Sequence, residues 1–463
     1  MLRRQGPQRK RRGPPAPLPR RYTACMIVEP HGQRVTVMGL GRFGGGVGVT
    51  RWLAQAGARV TVTDLLDGTE LAPALGELAS YVQDGRVQLR LGGHRERDFV
   101  ECDFVVVNPA VPMPWENRFL LAACRAGVSL TTEIGLTTER LRRRRVIGIT
   151  GTAGKSTTAA MIHHVVQGLG HRCHLGGNIG GSLLEQLDDI RTDDWVVLEL
   201  SSAMLWWLGD AALECGRAGW SPHVAVMTNL QPNHIDWHGT VEHYRRTKES
   251  IFRFQEPGDH VLHGTDGTDG ADGTDGVDAA TIPLTVPGRH NQANAQLAVA
   301  IAARVGLDPR TAARTLLHFP GLPHRLELVT ERDGRRFFND SKATTPQSTC
   351  LAVEAFDDSR RVHLLAGGYD KKVDLSGIVE LAPRLAGLYT MGATGRGLVD
   401  ATREGHAEFC ETVEIAVGRA VNRMKPGDVL LLSPGCASWD QFKNYELRGA
   451  AFRTVVNETM GTE

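Results

Sequence analysis

No run of apolar residues approaches the roughly 18 that a membrane-spanning helix needs, so no membrane association is expected. Neither sign of charge is in excess. The formal net charge of +1 carries no polyanion-binding signature, and nucleic acid is not expected as a partner. The eight cysteines (Cys25, Cys102, Cys124, Cys173, Cys215, Cys350, Cys410 and Cys436) include no C-x-x-C pair. In a chain this long that argues for reduced, cytosolic thiols rather than a disulfide framework or a zinc cage. Residues 1–21 hold eight Arg and Lys but no acid, and no apolar stretch follows as a signal peptide requires. Residues 1–33 are therefore read as a basic, disordered extension, or as sequence ahead of a true start at Met26.

What is present is globular, with 41% hydrophobic and 23% charged residues, and 463 residues exceed one ordinary core. Short apolar runs alternate with amphipathic helical patterns, which predicts an α/β chain with parallel sheets. A first unit over 34–143 has strands at Val35–Leu40, Arg59–Thr63, Val87–Leu91 and Phe104–Val107. A second, over 144–321, follows a basic linker and has strands at Val146–Thr150, Trp195–Leu198 and Val224–Met227. It contains a Gly/Thr/Asp tract at 264–278 that reads as a flexible surface loop. A third unit, 322–463, has strands at Phe337–Asn339, Val362–Ala366, Leu388–Met391 and Val429–Leu432. Its turn-rich segments at the strand ends (NDSK, GGYDKK, GATG, SPGCAS) lie where open α/β sheets bind ligands.

The strongest motif is GITGTAGKSTT at 148–158, between a strand and a helix. Backbone N–H groups around Gly151, Thr152 and Gly154 and the helix N-terminus would hold phosphates. Lys155 would reach the β- and γ-phosphates of ATP, and Ser156, with Thr157 beside it, would hold Mg²⁺. The strict pattern wants glycine where this chain has Ile149. An earlier turn, Gly39-x-Gly41-x-x-Gly44 with Asp64 ending the next strand, matches the dinucleotide fingerprint, and alone it would suggest an NAD-dependent dehydrogenase. A phosphate loop in the following unit has no place in a simple dehydrogenase. Residues 35–110 are therefore read as binding a UDP group, with Gly41 at the diphosphate and Asp64 near ribose or uracil.

Glu199 ends a buried strand downstream of the phosphate loop, a suitable place for a Mg²⁺ ligand. His234, Asp236 and His238 suggest zinc at first sight, but their spacing rarely closes a tetrahedron. A hard cation already carrying phosphate oxygens is preferred, with His238 read as a loop residue. On residue chemistry alone Lys248 reads as an exposed helical lysine.

Taken together, GITGTAGKSTT, LELSS, TNLQPNHIDWHG with YRRTK, PGRHNQANA, GLPHRLE, NDSKATT, GGYDKK and SPGCASWDQFKNYELRG closely resemble the Mur ligases over residues 34–455. The NDSKATT and SPGCASWDQFKNYELRG segments resemble the branch that adds glutamate. The resemblance implies a Rossmann-like N-terminal domain, a central P-loop ATPase domain and a Rossmann-like C-terminal domain. It implies a cytoplasmic, monomeric ATP-dependent ligase of peptidoglycan precursors, joining glutamate to UDP-N-acetylmuramoyl-L-alanine. Lys155 and Ser156 would hold phosphates and the first of two Mg²⁺ ions, with Glu199 a ligand of that ion. His234 would serve the second ion, and Lys248 falls where the family has a carbamylated lysine, which displaces the exposed-lysine reading. Asn178 and Ser202 would lie near the substrate arm, and Asn291 and Asn294 near adenine. Arg325, Asp340 and Lys342 would close on ATP, and Lys371, Ser438, Trp439 and Tyr445 would line the glutamate pocket. Two departures stand out: Ala153 where the family usually has Asn, and Ala203-Met204 where Phe and a residue such as Gln are common.

The implied chemistry activates the alanyl carboxylate as an acyl phosphate, which the glutamate amine attacks. Lys155, Lys342 and two cations would offset the accumulating negative charge. His234 or the carbamate on Lys248 would take the amine proton. The alternatives are addition of L-glutamate, a folate polyglutamylating ligase, a nucleotide-binding protein without catalysis, and the dehydrogenase.

Overall fold

The computed structural model describes residues 29–41, 45–215, 217–264, 282, 284–403 and 405–461. The greater part of the basic extension, Arg42–Gly44 of the first glycine turn, and 265–278 of the Gly/Thr/Asp tract lie outside the described residues. The chain divides into two compact units. One takes in residues up to Lys155 together with His171–His263, and the other Ser156–Gly170 with the residues from Gly264 onward.

The first unit holds two five-stranded sheets. One contains β1 (Arg34–Met38), β2 (Arg59–Thr63), β3 (Val87–Arg90), β4 (Phe104–Val107) and β5 (Ser129–Thr131), in the order β3-β2-β1-β4-β5. All its pairs are parallel. The other contains β6 (Val146–Thr150), β7 (Cys173–Gly177), β8 (Trp195–Glu199), β9 (Val224–Met227) and β10 (His260–His263), in the order β10-β9-β6-β8-β7, again parallel. Strands β4, β6, β8 and β9 are buried at every position. This is what a parallel sheet covered on both faces requires, and it is why they read as continuous apolar runs. In each sheet the chain order reverses beside the central strand, β1 or β6, and opens a crevice at the strand C-termini.

The second unit holds a six-stranded sheet of β11 (Glu327–Arg332), β12 (Arg335–Asn339), β13 (Val362–Gly367), β14 (Gly387–Met391), β15 (Ala407–Glu411) and β16 (Val429–Leu432). Its order is β11-β12-β16-β13-β14-β15. β11 pairs antiparallel with β12 through a tight hairpin, so this sheet is not wholly parallel. Five strands, β5, β7, β10, β11 and β15, were absent from the sequence reading, and all five are edge strands. An edge strand keeps one side toward solvent and needs no continuous apolar run. β11, with the pattern ELVTER, has no fully buried residue.

Among the described residues, no helix is long and apolar enough to cross a membrane.

Candidate active site

The phosphate loop leaves β6 and turns into the helix Lys155–Gly168. Its shape is held from β9. Asn229 Oδ1 accepts from the N–H groups of Thr152 (3.2 Å) and Ala153 (2.9 Å). Thr228 Oγ1 donates to the Ala153 carbonyl at 2.5 Å, and Asn229 Nδ2 to the same oxygen at 3.1 Å. Gly151 has φ +142°, and a Cβ there would lie 2.0 Å from Thr228 Oγ1, so only glycine fits. Lys155 Nζ donates to the Thr152 carbonyl at 2.8 Å. Sequence reasoning did not assign Thr228 and Asn229. No local sequence signal marks them, because it is the pairing of β9 with β6 that brings them beside the loop.

Glu199 ends β8 and is 1% exposed. Its Oε1 accepts from Asn178 Nδ2 at 2.9 Å, while its Oε2 is buried with no hydrogen-bond partner. A buried carboxylate oxygen without a donor is costly unless a cation completes it, so the residue fits a Mg²⁺ ligand. Among the described residues no three His, Cys, Asp or Glu side chains converge as a metal cage.

Lys248 is 2% exposed, which overturns the exposed-lysine reading. It lies on the helix Val241–Arg253, whose buried face carries Tyr244, Thr247, Lys248 and Ile251. That spacing of three and four residues was the signal available in the sequence. Lys248 Nζ donates to Thr150 Oγ1 at 3.1 Å and stands 5.2 Å from the centre of the Tyr244 ring. Burial, reinforced by the charge on Lys155 and opposed by Glu199, lowers its pKa to about 7.

His234 is accessible and adopts a left-handed φ of 51°, unusual for a residue with a Cβ, as it opens the short helix Ile235–His238. Burial, Lys248 and Lys155 lower its pKa, which favours the neutral imidazole that metal binding needs. His238 is not the loop residue expected. It is 3% exposed, with Nε2 2.9 Å from Ser202 Oγ and Nδ1 2.9 Å from His243 Nδ1. Burial and the neighbouring histidines lower its pKa to about 3.

A cavity of about 860 Å³ opens at the crevice beside β1. It is lined at one end by Gly39, Gly41 and Asn108 and at the other by Asn178, Ser202 and His234. Asp64 does not line it. Its Oδ2 accepts from Leu40 N (2.8 Å) and Gly41 N (3.2 Å), and its Oδ1 from Leu66 N (2.9 Å), so the carboxylate braces the glycine turn. Glu133, which sequence reasoning passed over, also lines the cavity. Its Oε1 accepts from Ser182 Oγ at 2.7 Å and Thr137 Oγ1 at 3.0 Å, and burial raises its pKa.

In the second unit, Arg325 Nη2 reaches Ser156 Oγ at 3.3 Å. His324 and Leu326 on either side of Arg325 are both left-handed, with φ of 62° and 44°. Thr158 Oγ1 bonds Asn294 Oδ1 at 3.3 Å, and Asn291 Nδ2 donates to the Pro287 carbonyl at 2.6 Å. Asp340, at the end of β12, accepts from Ser433 Oγ (2.8 Å) and Leu326 N (3.2 Å), and burial raises its pKa to about 7. Lys342 Nζ lies 5.3 Å from the Tyr445 ring, and Lys371 Nζ 5.5 Å from the Trp439 ring. Trp439 is 63% exposed and packs 5.4 Å from Tyr369, whereas Ser438 is buried.

Two family models match: the Mur ligase middle domain over residues 149–273 and the Mur ligase glutamate ligase domain over 324–436. A relative from Roseiflexus sp. (strain RS-1), named UDP-N-acetylmuramoylalanine–D-glutamate ligase, is 36% identical over 92% of this chain and 98% of its own. The chain belongs to the Mur ligase family. Relatives of the same name from Geobacter metallireducens and Anaeromyxobacter dehalogenans are 34% and 36% identical, covering 94% and 93% of this chain and 99% and 98% of theirs. A crystal structure of UDP-N-acetylmuramate-alanine ligase from Thermotoga maritima aligns with TM-score 0.56 at 18% identity, over 92% of this chain and all of that one. MurF from Acinetobacter baumannii aligns with TM-score 0.51 at 16% identity, over 93% of this chain and 91% of that one. At such identities the likeness is one of fold.

Within this Mur ligase the first unit brings Lys155, Asn178, Glu199, His234 and Lys248 into one electrostatic neighbourhood, with Ser202 and Gly41 on the connected cavity. The second gathers Ser156 with Arg325, and Asp340, Lys342, Lys371, Ser438, Trp439 and Tyr445 around the C-terminal ends of its strands. Thr157 follows Ser156 on the same helix.

Proposed function

We propose that this protein joins D-glutamate to UDP-N-acetylmuramoyl-L-alanine at the expense of ATP, in the cytoplasm, with domains at 34–143, 144–321 and 322–463. The observation that carries the reading is the cavity running from the glycine turn after β1 to Asn178, Ser202 and His234, beside the phosphate loop's Lys155. A UDP diphosphate would sit on the Gly39–Gly41 turn, and the muramoyl-alanine arm would extend toward Ser202 and Asn178. Ala203 and Met204 line the same arm, and there the chain departs from its family's usual residues.

ATP would lie on the N–H groups of Gly151, Thr152 and Gly154, with Lys155, Ser156 and Thr157 at its phosphates and Asn291 and Asn294 toward adenine. Arg325 and Asp340 would serve ATP from the second unit, as the family resemblance implies. An alanyl carboxylate oxygen attacks the γ-phosphorus, ADP departs, and the glutamate amine then attacks the acyl carbon. The tetrahedral adduct releases phosphate, and the amine loses a proton to His234 or to a carbamate on Lys248. Lys155 and Lys342 meet the negative charge that builds up, and Lys371, Ser438, Trp439 and Tyr445 hold glutamate. Glu199, Ser156, His234 and Lys248 would hold two Mg²⁺ ions, which supply further charge neutralisation around the transferring phosphoryl group. Lys248 suits carbamylation because burial gives its amine a substantial neutral fraction near pH 7, and only the neutral amine attacks CO₂.

Phosphate release from ATP with UDP-N-acetylmuramoyl-L-alanine, given D-glutamate or L-glutamate in separate reactions, tests the proposal. Release with D-glutamate alone supports it. Release with L-glutamate alone keeps the mechanism and overturns the stereochemistry, and no release with either refutes the ligase reading.

A further inference from the structure

Arg448 is among the largest fully buried side chains, at 2% exposure, yet its guanidinium hydrogen-bonds no carboxylate, and the nearby Asp440 acts on it through charge alone. It projects from the first turn of the helix Tyr445–Met460 and donates to four oxygens. These are Ser341 Oγ (3.0 Å), the Ser341 carbonyl (2.9 Å), the Cys436 carbonyl (3.1 Å) and the Ala437 carbonyl (3.2 Å). Ser341 lies between Asp340 and Lys342 in the turn after β12. Cys436 and Ala437 directly precede Ser438 and Trp439 in the turn after β16. The turn after β13 joins the same knot. Tyr369 N donates to the Ala437 carbonyl at 2.9 Å, and a Cβ on Gly368 would fall 2.4 Å from that oxygen and 3.1 Å from Arg448 Nη1. The cation thus ties the turns that carry Lys342 and Ser438 directly, and the turn that carries Lys371 joins them through the Ala437 carbonyl that Arg448 and Tyr369 share.

A buried guanidinium satisfied only by neutral oxygens is an expensive way to tie loops, since hydroxyls or apolar contacts would do so without desolvating a charge. What the charge adds is positive potential beneath a rim that already presents Lys342 and Lys371. From this placement we infer that Arg448 is the positioning residue of the amino-acid pocket, fixing the three turns in register and biasing the pocket toward a dianionic amino acid. The inference rests on the glutamate reading of Lys371, Ser438, Trp439 and Tyr445.

The test is steady-state kinetics of the full-length enzyme, varying each substrate in turn, for wild type, Arg448→Met and Arg448→Lys. Losing several charge-assisted hydrogen bonds should raise the KM for glutamate about ten- to a hundredfold in Arg448→Met. Arg448→Lys, which keeps the charge but not the fork, should recover part of that loss. The KM for UDP-N-acetylmuramoyl-L-alanine should stay within about twofold, because that pocket is built from other residues. A folded Arg448→Met enzyme with unchanged glutamate KM overturns the inference, as does an equal rise in all KM values with a fallen melting temperature. If Arg448→Met does not fold, Ser341→Ala removes one acceptor of the same knot, and an unchanged glutamate KM in that variant overturns the inference equally. A wild-type enzyme whose ATP turnover ignores glutamate overturns the glutamate reading and this inference together.

Discussion

Replacing Lys248 by methionine should make the protein more stable near pH 7 while abolishing its activity. The lysine is 2% exposed and its pKa falls from the ordinary 10.5 to about 7, a gap equivalent to about 5 kcal/mol against the charged form. The folded pKa lies below the unfolded one. Between pH 7 and 10.5 the unfolded chain therefore holds a proton that the folded chain has released, and stability rises with pH across that window. Below pH 7 the whole penalty is present. Methionine fills a similar volume without a charge. It forfeits the hydrogen bond to Thr150 Oγ1, about 1 kcal/mol, and an imperfect fit costs about as much again. The net gain is about 3 kcal/mol, or several degrees in the transition of the unit that carries it.

The assay is thermal unfolding in CO₂-free buffer from pH 6 to 10. Wild type should gain stability with pH relative to Lys248→Met, and the two curves should cross at about pH 9, where the remaining charge penalty equals the roughly 2 kcal/mol that methionine forfeits. Parallel curves, or a methionine variant less stable than wild type at pH 7, would refute the reasoning about burial. In ¹³C-bicarbonate, wild type should show a carbamate carbon resonance that the methionine variant lacks. Lys248→Ala should lose nearly all turnover and recover part of it with a short carboxylic acid such as acetate. Full turnover without rescue would remove the carbamate assignment.

Glu199→Gln should remove the negative charge at the unpartnered Oε2, with a turnover loss of about a hundredfold that higher Mg²⁺ does not restore, read in a phosphate-release titration. Gly151→Ala should collapse ATP turnover, because its Cβ would meet Thr228 Oγ1 at 2.0 Å; isothermal titration with an ATP analogue checks the lost binding. Asp340, with pKa raised from 3.8 to about 7, binds a proton in the folded state that the unfolded chain lacks, so stability should fall as pH rises through that range. Asp340→Asn should flatten that slope in a pH series of thermal melts. Ala153→Asn should leave kcat within about threefold of wild type, because the loop is held through the backbone of residue 153 while its side chain is exposed.

The sequence made the centres of the sheets legible and left their margins dark. Val146–Thr150 and Val429–Leu432 are buried at every residue and announce themselves as apolar runs. Cys173–Gly177 and His260–His263 are edge strands whose composition resembles a loop, and only pairing with β8 and β9 makes them strands. The same division runs through the site. The phosphate loop was readable because its donors are consecutive residues. Lys248 needed its helix face, where Arg245, Arg246 and Glu249 are exposed and Tyr244 and Ile251 buried. Arg448 and the Asn229 brace were not readable, because their partners lie far away in the chain.

The arrangement around Glu199 and Lys248 also distinguishes a working site from a structural ion pair. Both side chains are almost wholly buried, and Lys248 feels the charge of Glu199. A fold selected only for stability would close them into a salt bridge, since each would then satisfy the other. Here they make none. Asn178 takes one oxygen of Glu199, Thr150 takes the lysine amine, and the second carboxylate oxygen is left without a donor. Asn178 is itself fixed by its backbone N–H on the Glu199 carbonyl at 2.9 Å, and Thr150 by its hydroxyl on the Leu200 carbonyl at 2.7 Å. The spacers are thus fixed, and they keep the carboxylate oxygen and the lysine amine apart at the end of the central sheet. That separation costs the folded chain stability, which is what the proposed cation at the oxygen and carbamate on the amine would require.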